Sequence, residues 1–191
     1  LLYLLVGIAA LPWVLWRRLS GKRPVAAIRE RLTGRVRVAD CPKNHCRIWL
    51  HGVSVGEVQL IRPLVNELQN QADLRNQLID CVVSSSTTTG LEVATKTHEQ
   101  DHVFPCPLDI SWAIKQTFNR VRPDLLVLAE LEIWPNLLRI AEDCKIPVVV
   151  VNGRMSERSY QGYKRLGRIA ALMVQRISLV LSRSQEDSDR F

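Results

Sequence analysis

Arg47-Ile-Trp-Leu-His51-Gly-Val-Ser-Val-Gly-Glu57 decides the fold: an apolar run breaks off into polar residues and a carboxylate where a buried strand should end. In an open parallel sheet, strand tips and helix N-termini converge at the carboxyl edge, and ligands bind in the crevice between them. Glu57 is expected in or just before the first turn of the following helix, with Gly52 and Gly56 letting the backbone turn tightly. A carboxylate placed there feels the positive helix end, which favours its ionised form and makes it a candidate general base. The plainer reading has Ser54 as a cap and Glu57 as a complement to the helix dipole.

Working outward, the same pattern recurs. Short β-rich apolar runs stand at 48–50, 79–83, 125–129, 148–151 and 177–181. Between them, Val58, Ile61, Val65 and Leu68, and then Leu137, Leu138 and Ala141, keep helical spacing. Alternating strands and helices predict an α/β fold, a Rossmann-like doubly wound parallel sheet. Each predicted strand ends in polar residues, at 51–57, 84–90, 130–132, 152–154 and 182–184, so one edge of the sheet is expected to carry a site. Pro63 is expected to delay or bend the helix that begins near Glu57, because it lacks an N–H.

The chain has 191 residues and a net charge of +7, and the location of that charge decides its meaning. Residues 17–37 hold eight Lys or Arg against Glu30 alone, so the other residues balance at 18 basic and 18 acidic. A nucleic-acid groove is therefore not expected. The basic stretch follows sixteen uncharged residues, Leu1 to Trp16, rich in Leu and including Trp13 and Trp16. As a helix these span roughly 24 Å, short of the roughly 30 Å hydrocarbon core, so they suit an interfacial anchor or part of a span. Basic residues on the C-terminal flank predict a cytoplasmic location for the domain, and a cleaved signal peptide is the competing reading. The domain expectation is an apolar anchor at 1–18, a basic juxtamembrane linker at 19–46 and a Rossmann-like domain at 47–191. The five cysteines, one of them (Cys81) inside a strand, suit reduced thiols. Cys41, His45 and Cys46 have no second ligand pair at metal spacing, so no metal is expected.

Three further motifs carry candidate site residues. Ser84-Ser-Ser86-Thr87-Thr-Thr89-Gly90 precedes a helix predicted from Leu91, and its hydroxyls and N–H groups suit an anion or a sugar hydroxyl. It reads equally as a capped turn. Leu128-Ala-Glu130-Leu-Glu132-Ile-Trp-Pro-Asn136 sets two carboxylates two residues apart. If the strand continues through Glu132 they share a face, where they would suit an oxocarbenium-like transition state; solvent-exposed helix-entry charges are the alternative. Asn152-Gly-Arg154-Met-Ser-Glu-Arg-Ser159 offers Gly153 for a positive φ and Arg154 and Arg158 for phosphate or carboxylate, or else a salt-bridge network with Glu157. The usual phosphate-loop and dinucleotide signatures are absent.

In this order, the four motifs resemble the lipopolysaccharide Kdo (3-deoxy-D-manno-octulosonic acid) transferases. HGVSVGE is similar to the family's H-x-x-SVGE, the loop through Thr89-Gly90 to TT-x-TPTG, AELEIWPN to ETELWPN, and NGRMSERS to NARLSERS. Thr88 replaces a Pro, Leu131 replaces a Thr, and the segment from Phe104 to Asp109 departs from YLPYD. The resemblance implies the N-terminal, acceptor-binding half of a GT-B glycosyltransferase with a membrane anchor, lacking the C-terminal donor domain that binds CMP-Kdo. It implies Glu57 as general base toward a lipid A precursor (lipid IVA) and Glu130 as transition-state stabiliser. His51, Ser54, Gly56, Ser86, Thr87, Thr89, Gly90, Glu132, Asn152 and Arg154 would bind the acceptor. No cofactor is implied beyond the donor substrate, and the partners are a phosphorylated glycolipid and the cytoplasmic face of the inner membrane. A membrane-tethered glycolipid or nucleotide-binding module without catalysis, or a GT-B enzyme with another sugar donor, remains the alternative.

Overall fold

A computed structural model describes residues 25–131 and 134–191; the anchor expected at 1–18 lies outside them. Among the described residues no helix is long and apolar enough to cross a membrane. Six parallel strands, β1 (Cys46–Gly52), β2 (Ile79–Ser85), β3 (Val103–Pro105), β4 (Leu125–Ala129), β5 (Val148–Gly153) and β6 (Leu179–Ser182), lie in the order β3-β2-β1-β4-β5-β6. The chain winds outward from β1 in one direction and then from β4 in the other. The switch point between β1 and β4 is where an open sheet leaves a crevice.

Both faces are covered, as the doubly wound expectation requires. Because side chains alternate along a strand, Ile48 and Leu50 face α2 (Val55–Leu74) and α3 (Thr88–Thr97), in a core that includes Val58, Ile61, Val83, Ala94 and Val127. Trp49 points the other way, toward α4 (Ser111–Val121) and α5 (Pro135–Asp143), into a core with Phe104, Phe118, Leu126, Leu137 and Val150. Trp49 is fully buried, and its ring meets Phe104 at 5.4 Å and Phe118 at 5.3 Å. Large side chains of this kind contribute roughly 1.5–3 kcal/mol each by leaving water.

Several boundaries differ from the sequence reading. The three-residue β3 is too short to leave a periodic signal. The last strand begins at Leu179 rather than at 177, and α3 begins at Thr88 rather than Leu91. The helix α2 begins at Val55 and runs through Pro63, which sits on its exposed side, where water can serve the carbonyl left without an N–H.

The basic linker expected at 19–46 is, over its described part, a piece of the domain. The helix α1 (Val25–Thr33) lies over the loop before α4: Leu108 N–H donates to the Arg31 carbonyl at 2.9 Å, and Trp112 Nε1–H to the Leu32 carbonyl at 2.9 Å. Gly34, at φ +67°, presses so closely on the Ala113 carbonyl that a Cβ would overlap it, and Val36 is buried in the core. At the amino edge of the sheet, Arg47 is 1% exposed and fully partnered: Nε donates to Asp80 at 2.6 Å, and the terminal nitrogens to the Ala39 and Val121 carbonyls.

Candidate active site

The tip of β1 is built by a reciprocal cap. Ser54 caps α2, accepting Glu57 N–H at 3.4 Å, and donates its own hydroxyl to Glu57 Oε1 at 2.7 Å. Glu57 Oε2 accepts the Val53 N–H at 2.6 Å. This is a variant of the capping box, in which Glu57 reaches back to the N–H of Val53, one residue before the cap, so the plainer structural role of Ser54 and Glu57 is present. It also holds the carboxylate in one orientation and uses only two of its roughly four lone-pair positions. The residue is 8% exposed. The glycines act differently from expectation: neither Gly52 nor Gly56 takes a positive φ. Gly52 instead permits close approach, since a Cβ there would lie 3.1 Å from the Glu57 backbone and Ile61, while a Cβ on Gly56 would make only an ordinary contact with Ser54 Oγ at 3.9 Å.

The β2 tip closes on the same corner. Ser85 Oγ and Thr87 Oγ1 both donate to the Val53 carbonyl, at 3.1 and 2.9 Å, tying the Ser/Thr loop to the loop that carries Ser54. Thr87 caps α3 by accepting Gly90 N–H at 3.0 Å, and a Cβ on Gly90 would collide with Ser85 Oγ and Thr87 Oγ1. Gly90 is thus needed for space within the first turn. Thr89 is exposed on that turn.

His51 lies between these tips, fully buried on the Trp49 face. Its Nδ1 is 3.2 Å from the Ser84 carbonyl and 2.9 Å from Ser84 Oγ, which also accepts Trp49 Nε1–H at 2.7 Å. With the hydrogen on Nδ1 the ring donates to the Ser84 carbonyl and Nε2 can accept from Ser86 Oγ at 3.4 Å; with it on Nε2 the roles reverse, Nδ1 accepting from the Ser84 hydroxyl. Burial lowers the imidazole pKa to about 4, with the Arg31 guanidinium adding to the effect, so the ring is neutral at pH 7. Trp134 stands edge-on to it at 6.5 Å.

Across the switch point, β4 stops at Ala129, and Glu130 takes φ +62° while its N–H donates to the Val151 carbonyl at 2.9 Å. The expectation that Glu130 and Glu132 share one face of a continuing strand therefore fails: a left-handed residue ends the alternation. Glu132 lies outside the described residues, as does the Arg158 side chain. The Glu130 carboxylate is half-buried and has no hydrogen bond or ion pair among the described residues. At the β5 tip it is Asn152, not Gly153, that adopts the positive φ, +53°, where the pairing with β6 shifts register. Arg154 is exposed, and the next loop is anchored by Asp187, which accepts Met155 N–H at 2.8 Å and Ser184 Oγ at 2.8 Å and is held below the usual carboxylate range by these bonds.

The structure thus brings together His51, Ser54, Glu57, Ser86 and Thr87 at one corner, and sets Glu130 and Asn152 on adjoining strand tips. Thr89 and Arg154 face solvent beyond them. Sequence reading missed Arg31, whose Nη2 donates to the Ser85 carbonyl at 3.4 Å, and the contact of Trp134 with His51. Trp134 lay inside a quoted motif; Arg31 looked like one more basic residue of a linker. Among the described residues, one group could hold a metal ion, Glu99, Asp101 and His102, and it lies at the amino edge, away from this corner.

A parallel α/β domain wound in both directions from a switch point falls in the broad class of Rossmann-like domains. A solved structure of a putative UDP-N-acetylglucosamine 2-epimerase from Listeria monocytogenes shares the fold, with a TM-score of 0.55 at 9% identity over 76% of this chain and 41% of that one. Residues 26–191 match the family model described as 3-deoxy-D-manno-octulosonic-acid transferase (kdotransferase), and the chain belongs to that glycosyltransferase family. Its relatives include a 3-deoxy-D-manno-octulosonic acid transferase of Haemophilus influenzae, 33% identical over 80% of this chain and 35% of that protein. A bifunctional glycosyltransferase/methyltransferase of Fusobacterium nucleatum is 37% identical over 78% of this chain and 23% of its own length. A probable mitochondrial 3-deoxy-D-manno-octulosonic acid transferase of Arabidopsis thaliana is 28% identical over 92% and 38%. The chain therefore spans well under half the length of these relatives.

Proposed function

We propose that this chain is the acceptor-binding half of a GT-B enzyme that transfers Kdo from CMP-Kdo to a phosphorylated lipid A precursor, lipid IVA, in lipopolysaccharide biosynthesis. The observation that carries the reading is an oriented carboxylate, Glu57, at the switch point of a domain from the Kdo transferase family, with Glu130 on the strand tip across it. In the proposed step, Glu57 takes the proton of the acceptor hydroxyl, and the oxygen bonds to the anomeric carbon of Kdo. The bond from that carbon to the CMP phosphate oxygen breaks, CMP leaves with the electron pair, and the configuration inverts. Glu130 stabilises the positive charge that develops on the sugar. CMP-Kdo is held mainly by a second domain, no other cofactor takes part, and the anchor at 1–18 keeps the site at the cytoplasmic face of the inner membrane.

The capping-box bonds of Glu57 favour one rival, a binding module in which this residue is purely structural. Glu57→Gln in the full-length protein separates them. The amide keeps the size of the side chain, so the base reading expects Kdo transfer to fall by about 100-fold or more with the fold intact. Transfer near the wild-type rate would remove Glu57 as the base.

A further inference from the structure

Among the described residues, Arg31 is a half-buried cation with no ion-pair partner. Its one hydrogen bond, from Nη2 to the Ser85 carbonyl, is long at 3.4 Å. Its Nε is buried without any acceptor, one of only two such side-chain atoms among the described residues. Burial lowers its pKa, and no carboxylate acts on it. The other well-covered arginines differ: Arg47 is paired with Asp80, Arg176 with Glu142, and Arg190 with Glu157 and Glu186. Partly desolvated charges are normally paired, because an unpaired one costs several kcal/mol. The position is also fixed. The Arg31 carbonyl accepts Leu108 N–H and the next residue's carbonyl accepts Trp112 Nε1–H, so the end of α1 is fastened beside the tips of β2 and β3. From there the guanidinium acts on His51, in the same corner as Ser86 and Glu57.

We propose that Arg31 is an oxyanion-binding residue of this site, its terminal Nη–H groups taking a phosphate or carboxylate of a bound substrate while the buried Nε–H beside them reports on it. A guanidinium offers parallel N–H groups that match two oxygens of such an anion, and the half-dry surroundings strengthen the pair. The inference rests on the transferase reading only for which substrate brings the anion.

The first test needs no turnover. In the 191-residue chain labelled with 15N-arginine, the Arg31 Nε–H resonance, assigned by its loss in Arg31→Lys, is followed while inorganic phosphate, glucosamine 1-phosphate, CMP or free Kdo is added. A saturating shift with at least one anion, and none with unphosphorylated glucosamine, is expected. A shift with glucosamine 1-phosphate alone assigns the anion to the acceptor, and one with CMP or Kdo alone to the donor. No shift with any of the four up to tens of millimolar overturns the proposal. The second test uses full-length enzyme. Arg31→Gln is expected to raise KM for the substrate so assigned by about tenfold with kcat nearly unchanged, and Arg31→Lys to restore part of it. An unchanged KM overturns the proposal and leaves the transferase reading standing. A wild-type protein that transfers no Kdo yet shows the Nε–H shift does the reverse.

Discussion

Lowering the pH from 7.5 to 4 should destabilise this domain through His51 in particular. The imidazole is buried neutral, its pKa lowered from an ordinary 6.5 to about 4 chiefly by loss of water. In the unfolded chain the ring binds a proton below pH 6.5; in the folded protein it does so only below about 4. Between these values the unfolded state holds more protons, so stability rises with pH. The contribution is intact above pH 6.5, declines through the window, and is fully lost below about pH 4. At about 1.36 kcal/mol per pH unit, the loss comes to about 3 kcal/mol, a large part of the margin of an ordinary domain. Urea unfolding at several pH values, on the wild type and on His51→Gln, isolates it, because glutamine does not titrate while every other group is common to both. The wild type should lose about 3 kcal/mol more than the variant between pH 7.5 and 4. Ring resonances should show a neutral imidazole at pH 5. Parallel pH profiles, or a ring that titrates near 6.5, would refute the reasoning.

Asp80→Ala leaves Arg47 buried beneath the sheet with its counter-charge gone, and should cost about 3–5 kcal/mol in urea unfolding. Replacing both members with apolar residues of similar volume should recover much of that. Gly34→Ala combines a strained positive φ with overlap on the Ala113 carbonyl, so a loss of about 3 kcal/mol or more in thermal or urea unfolding is expected. Gly56→Ala, within α2 and with only an ordinary 3.9 Å contact to Ser54 Oγ, should instead be neutral or slightly stabilising in the same measurement.

The sequence by itself determined what depends on neighbours along the chain. Short continuous apolar runs located β1, β2, β4 and β5, which the sheet buries on both faces, and helical spacing located α2, because each is a local pattern. Ser54 and Glu57 stand three apart, the spacing of a reciprocal cap, and the cap is there. The family motifs were also legible as linear strings, since each occupies one strand tip and the loop after it.

Tertiary structure decided what depends on distant residues meeting. The order β3-β2-β1-β4-β5-β6 puts the tips carrying Glu57 and Glu130 on adjoining strands, and no local pattern specifies which strands pair. Glu130 takes a left-handed conformation against its residue preference where its N–H reaches the Val151 carbonyl, and Asn152, a residue that tolerates that conformation, takes it in place of Gly153. His51 is a neutral imidazole because the packed chain removes it from water, with the Arg31 charge adding to the effect against the opposing Ser84 hydrogen bond. Arg31 illustrates the divide: as a letter it belonged to a basic run, while in space it is a cation beside the site with no ion-pair partner among the described residues, because burial and charge pairing are properties of the packed chain.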